Sequence, residues 1–284
     1  MSDRARKPSK PTPIFSEQDA ALYESIVVPR YSGLFARLVL REIASGTRAT
    51  VLDVGCGTGH PAFDVLRRLG PHGRVIAVDR DPTLVELARR RALDDAGRRI
   101  FFKVADAEAL EFGDEVFDLV VGNLVVGQLD TPSQALGEMH RVLLKGGKLL
   151  LTRALAGTFE EILDMFLEVA TRRDLPAVAD RVATVAARYP SPSEVAATAR
   201  AAGFDEVEVK TEACKLSFRN ARELFADPLW RFVGLGEWRW IAGSEPGHES
   251  LFVEVERALD TYFGASALSV TVNAGLLIAR RPMA

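Results

Sequence analysis

Apolar positions along this chain follow two rhythms. Short β-branched or fully apolar runs read as buried strands at 50–54, 74–79 ("RVIAVD"), 100–106 ("IFFKVAD"), 117–123 ("FDLVVGN") and 147–153 ("GKLLLTR"). Between them, apolar residues recur at helical spacing over about 60–69, 82–95 and 131–144. Strand and helix in alternation predict a parallel sheet with helices on both faces. Ahead of this block, "SEQDAALYESIVVPRYSGLFARLVLREIASG" reads as helices, with Ser16 as N-cap and Pro29 as a break.

Past residue 154 the rhythm changes. Residues 155–188 are helical, with Phe159, Ile162, Leu163, Phe166 and Val169 on one stripe. A helix from Ser191 to Gly203 leads into a strand at 206–210 ("EVEVK"), and a last strand occupies 269–280. The long stretch between those two strands holds "LWRFVGLGEWRW", with all 3 tryptophans of the chain. An excursion of that length reads as a lid or binding element over the ligand edge of the sheet. No internal repeat is evident.

The chemistry concentrates at the first strand's exit, "VLDVGCGTGH", Val51 to His60. Gly55, Gly57 and Gly59 fall at alternate positions between a strand and a helix, where open α/β sheets bind nucleotides. A dinucleotide fingerprint, G-x-G-x-x-G, needs glycine where this chain has His60. The pattern D-x-G-x-G-x-G resembles instead the first motif of class I S-adenosylmethionine-dependent methyltransferases. Four further segments match that superfamily in order: "AVDRDP", "VADAEAL", "FDLVVGNLVV" and "EMHRVLLKGGKLLLT". The resemblance runs from about residue 17 to 211 and includes the small-molecule enzymes of the type 11 group.

It implies a Rossmann-like α/β fold, with a seven-stranded, mostly parallel sheet, helices on both faces and a helical lid. The implied division is a disordered lead-in at 1–15, N-terminal helices closing over the cofactor at 16–45 and a cofactor-binding core at 46–154. A helical cap segment at 155–190 and a final part at 191–284, with a lid insertion at about 215–265, complete it. The implied cofactor is S-adenosylmethionine, with no metal. Asp79 would accept from the ribose hydroxyls, Asp106 with the Ala107 backbone would face the adenine amino group, and Arg80 would pack along the adenine. Gly55, Cys56, Gly57 and Gly59 would form the loop around the methionine part, whose amino group would meet Asp53 and loop carbonyls. Asn123 would form the wall between cofactor and acceptor, and Tyr23 would lie on the helix that closes over the methionine end. No catalytic residue is assigned.

Composition narrows the partners. The 284 residues are 48% hydrophobic and 26% charged, with a formal net charge of −3, so nothing marks a nucleic-acid surface. With only Cys56 and Cys214, no disulfide framework is implied, and a reducing cytoplasm fits. No apolar run is long enough to span a bilayer, and the basic, proline-containing start is not a signal peptide. His60, His72, His140 and His248 are scattered, without metal-ligand spacing. His60 reads either as a loop-stabilising residue or as a base at a helix N-terminus, and His140 as a packing or capping residue.

The expected acceptor is a small molecule, free or carrier-bound, methylated at oxygen or carbon, with a carboxylate or acyl group among the candidates. Trp230, Arg231, Trp238, Arg239 and Trp240 could wall its pocket and supply a cation, or could be lid core and surface. "NLVVGQL" and "GTFEEILDMF" are similar to the carboxyl O-methyltransferases of malonyl carrier protein, although Gln128 is followed by Leu129 where that group often has tryptophan. Methylation of tRNA or protein, and cofactor binding without catalysis, are the alternatives. The oligomeric state is not assigned.

Overall fold

The computed structural model describes residues 15–95, 99–243, 248–264 and 267–284. Its centre is one sheet of seven strands: β1 (Thr50–Val54), β2 (Arg74–Asp79), β3 (Ile100–Val104), β4 (Phe117–Asn123), β5 (Leu143–Ala154), β6 (Asp205–Phe218) and β7 (Leu268–Arg280). They lie in the order β3-β2-β1-β4-β5-β7-β6. The first five are parallel, and β7 runs antiparallel to both β5 and β6. The expected Rossmann-like sheet is therefore present. Its strand order reverses between β1 and β4, which leaves a crevice beyond their C-terminal ends.

β1 is buried along most of its length because both of its faces are covered. Successive side chains serve opposite layers: Val51 packs with the N-terminal helices, Leu52 and Val54 with the other side. The first layer contains α2 (Gly33–Arg41), α3 (Ala62–Arg68) and α4 (Pro82–Asp95), with α1 (Glu17–Leu22) packed on α4. The opposite layer is built on α5 (Pro132–Val142), through Leu136 and Met139, and on a later helix through Val195 and Ala199.

Pro29 does not break the N-terminal helix. Between α1 and α2 the backbone widens into a π-helical stretch, Tyr23–Ser32, that carries Pro29 inside it. A wider turn loosens the regular ladder in which a proline lacks its N–H and clashes with the preceding turn, so the chain bends through it. Ser16 caps α1 as expected, its side chain accepting from the Asp19 N–H at 3.1 Å. Residues 1–14 of the expected lead-in lie outside the described residues. Phe15, its last residue, is held by its N–H to Asp81 Oδ2 at 2.8 Å.

The segment after β5 forms two helices, α6 (Glu160–Arg172) and α7 (Pro176–Ala186), followed by α8 (Pro192–Ala201). Strand β6 is far longer than 206–210 because it pairs with β7 along nearly its full length. Charges at Glu206, Glu208, Lys210, Glu212 and Lys215 suit an edge strand, and the pairing that carries it on to Phe218 is not local to its sequence. The stretch between β6 and β7 holds α9 (Ala221–Ala226), α10 (Trp230–Val233), α11 (Leu235–Ala242) and α12 (His248–Phe263). Among the described residues, no helix is long and apolar enough to cross a membrane.

Trp230 and Trp238 are fully buried, with ring centroids 4.7 Å apart. Phe159, at the entrance to α6, meets Trp230 at 5.3 Å and Trp238 at 6.1 Å. The tryptophans thus fasten the excursion to the 155–188 helices as one cap. Trp240 is 44% exposed beside Arg188.

Trp238→Ala is expected to destabilise the protein by about 3–5 kcal/mol in urea unfolding, the usual range for emptying a buried aromatic site. Trp238→Phe removes an indole N–H that has no acceptor among the described residues and should be milder. A loss below about 1 kcal/mol for the alanine variant would place Trp238 outside the core.

Candidate functional site

A cavity of about 580 Å³ opens beyond the C-terminal ends of β1, β2 and β4. Its floor is the glycine loop. The Gly55 and Cys56 N–H groups both donate to the Val78 carbonyl, at 2.8 and 3.0 Å, folding the loop back onto β2. At Gly57, with φ of +52°, an added Cβ would meet nothing within 4 Å, so the backbone is bare towards the cavity. Gly59 has a different cause: a Cβ there would lie 2.4 Å from the Phe63 ring.

Asp79, at the end of β2, both supports this loop and faces the cavity. Its Oδ2 accepts from the Gly57 N–H at 2.8 Å and its Oδ1 from the Asp81 N–H at 3.0 Å. Burial raises its carboxyl above the usual range, and these two hydrogen bonds oppose the rise. Asp106 and Ala107 line the same end, Asp106 accepting from the Glu108 N–H at 2.9 Å. Arg80 reaches the Gln128 carbonyl at 3.4 Å and Asp130 at 3.9 Å along the rim.

Asn123 lines the cavity with its amide fully engaged. Nδ2 donates to the Ser32 carbonyl and hydroxyl at 3.1 and 2.9 Å, and Oδ1 accepts from the Thr152 hydroxyl at 2.7 Å. It ties β4, β5 and the N-terminal helix into one wall. Tyr23 lines the cavity too, and burial pushes its phenol up to about 12.

The roof is built from distant segments. Phe15, Tyr23 and Phe232 form a three-ring cluster with centroids 5.6–5.8 Å apart. Arg30 makes a two-pronged contact with Asp227 at 2.9 and 2.7 Å, and Arg231 meets Asp19 at 2.6 Å. Beyond Asn123 the lining continues through Tyr31, Arg153, Arg188, Tyr189 and Glu237. None of these has a motif or spacing to announce it in the sequence; Phe15 falls within the expected lead-in.

Asp53, Cys56 and Gly59, expected around the methionine part, do not line the cavity. Asp53 is 0% exposed, and neither carboxyl oxygen has a hydrogen-bond partner among the described residues. Burial drives its carboxyl well above the usual range and Asp79 adds to this, while the Ala62 backbone N–H, near it but outside hydrogen-bonding geometry, opposes the rise. Of the five residues expected from the tryptophan-rich stretch, Arg231 alone lines the cavity. His60 Nδ1 sits 3.2 Å from Asp64, away from the lining, and His140 packs against Phe204 at 5.0 Å. Among the described residues, no group of histidine, cysteine and acidic side chains could hold a metal ion.

Comparison with known proteins agrees with this architecture. The family model described as "Methyltransferase domain" matches residues 46–215. The chain is 34% identical over 146 residues to aklanonic acid methyltransferase DauC of Streptomyces sp. (strain C5), covering 50% of this chain and 66% of that protein. It is 33% identical over 197 residues to the malonyl-[acyl-carrier protein] O-methyltransferase of Herminiimonas arsenicoxydans, covering 69% of this chain and 66% of that one. The matches span from about half to just under two thirds of these and other curated relatives. Among solved structures, the YcgJ protein of Bacillus subtilis superposes with a TM-score of 0.58 at 18% identity, covering 88% of this chain and 99% of its own.

Asp53 gives a pH test. Its folded carboxyl titrates well above its unfolded value, so the ionised form opposes folding. Asp53→Asn should match the wild type in stability below the unfolded pKa of about 3.9 and gain on it as pH rises through the folded value. Urea unfolding across that range checks this; a constant difference would show that Asp53 does not titrate on unfolding.

Proposed function

The chain belongs to the methyltransferase-domain family of class I S-adenosylmethionine-dependent enzymes, and from that premise we propose that it methylates a small-molecule acceptor. The observation that carries the reading is the bare Gly57 backbone beside two cavity-lining carboxylates, Asp79 next to it and Asp106 beyond. Hydroxyl-rich ribose and an adenine amino group are donors, and these side chains offer acceptors at the β2 and β3 ends. The residues present therefore fit the cofactor, which supplies an activated methyl group when bound.

Asp79 would hold the ribose while keeping the loop closed, Asp106 and Ala107 would face the adenine, and Arg80 would cover its rim. Gly55 and Gly57 would leave room for the methionine part beneath Tyr23. Asp53 lies behind the loop and would act on its charge only at a distance.

The transfer would break the sulfonium–methyl bond, form one new bond from methyl to acceptor and return an electron pair to sulfur. The protein's part is then alignment and the exclusion of water. The aromatic roof and the Asn123 wall provide both. Tyr31 and Tyr189 keep their protons, because burial and the Glu237 charge raise both phenols. A carboxylate acceptor needs no base, whereas an alcohol or a carbon acid would have to lose a proton to a group such as Glu237. An acceptor free or carried on a protein, methylated at oxygen or at carbon, suits the same chamber.

S-adenosylhomocysteine at a hundred times its dissociation constant should stabilise the protein by about 2.7 kcal/mol, while NADH should not. Asp79→Ala should weaken that binding on the order of tenfold to a hundredfold in calorimetry, the loss expected for charge-assisted hydrogen bonds. Unchanged affinity would remove Asp79 from the site, and stabilisation by NADH alone would overturn the reading.

A further inference from the structure

The cavity has a second end, and one cation there stands out. Arg153 lies at the C-terminal end of β5, one residue past the Thr152 that pairs with Asn123. In the order β1-β4-β5 it sits two strand spacings from the glycine loop, about 10 Å at the usual separation. That places it on the opposite side of the Asn123 wall from the Asp79 and Asp106 end.

The other arginines of the lining have carboxylate partners. Arg188 meets Glu237 at 3.0 Å, Arg231 meets Asp19 at 2.6 Å and Arg80 has Asp130 at 3.9 Å. Arg153 has no carboxylate within 4.0 Å among the described residues. Its Nε is buried without an acceptor, and one terminal nitrogen makes a single 3.4 Å contact to the Arg188 carbonyl. Burial lowers its pKa, and Glu194 only partly opposes this.

A half-buried guanidinium whose Nε is withdrawn from water calls for an anion or acceptors to offset that desolvation. The geometry points to Arg153 as the anion receptor of the acceptor subsite, and so to an acceptor that carries a carboxylate. This rests on the methyltransferase reading above and deepens it. Nε is closed off from the cavity, so the two terminal nitrogens would present the paired donors, whose spacing matches the two oxygens of a carboxylate. Charge argues for a monoanion. Arg188 is already neutralised by Glu237, so one positive charge remains for one negative charge. A phosphate dianion would exceed that balance and would bring its second charge towards Glu237, which shares the lining. Val27, Leu124 and Ala154 supply apolar wall for the body of such an acid.

The test uses the full chain saturated with S-adenosylhomocysteine. Acetate, propionate and benzoate are compared with acetamide, propionamide and benzamide by thermal unfolding, each acid against the amide of the same shape. The acids should raise the midpoint and the amides should not. Arg153→Gln should erase that difference and weaken benzoate about tenfold, while Arg153→Lys should keep part of it. Calorimetry with S-adenosylhomocysteine should give the same affinity for Arg153→Gln as for the wild type. Acids and amides acting alike on the wild type, or a difference that survives in Arg153→Gln, would overturn the assignment. Should Arg153→Gln not fold, the acid–amide comparison on the wild type decides alone. Failure of S-adenosylhomocysteine to bind the wild type would count against the methyltransferase reading, and the acid–amide comparison would then be read on the protein without it.

Discussion

The site depends on one hydrogen bond between neighbouring strands' ends: the Asp79 carboxylate receiving the Gly57 N–H. β1 and β2 are parallel neighbours, so the loop leaving β1 passes beside the last residue of β2. A carboxylate there organises the backbone of that loop and still turns outward. The same acid is therefore part of the scaffold and part of the lining. Burial works against its charge, and the two backbone N–H groups that it receives are what keep that charge tenable.

The strand-to-helix core was legible because its signals are local. β1, β2 and β4 follow from runs of apolar residues, and the glycine loop from spacing alone. Where the structure departs from that reading, a longer-range cause can be named. Pro29 sits inside a widened helix because the chain around it packs Val27, Tyr31 and Phe35 into the core. β6 extends past the stretch that its sequence marks because its pairing with β7 joins positions some fifty or more apart. Trp230 and Trp238, which the sequence leaves open between ligand wall and lid core, close on each other and on Phe159.

The end of the cavity proposed for the acceptor was illegible for a related reason. Tyr31, Arg153, Tyr189 and Glu237 come from four segments, and no window of sequence contains two of them. What distinguishes them is chemical context: a phenol beside a carboxylate, or an arginine without one. Such context exists only once the helical cap is seated on the sheet. The end proposed for the cofactor, in contrast, draws Gly55, Gly57, Asp79 and Asp106 from consecutive strand exits, and their order along the chain is itself the signal.

The roof has a consequence for how the protein comes into being. Arg30 and Asp227 are 197 positions apart, yet they help to close the same chamber. A chain still being synthesised can form β1, its glycine loop and the acid at the end of β2 long before residues 227–232 emerge. Contacts between such distant positions form late, since a large loop must close before they return any stability. The groove would thus precede the enclosure, and shelter from water would be completed only when the last third of the chain has joined the fold.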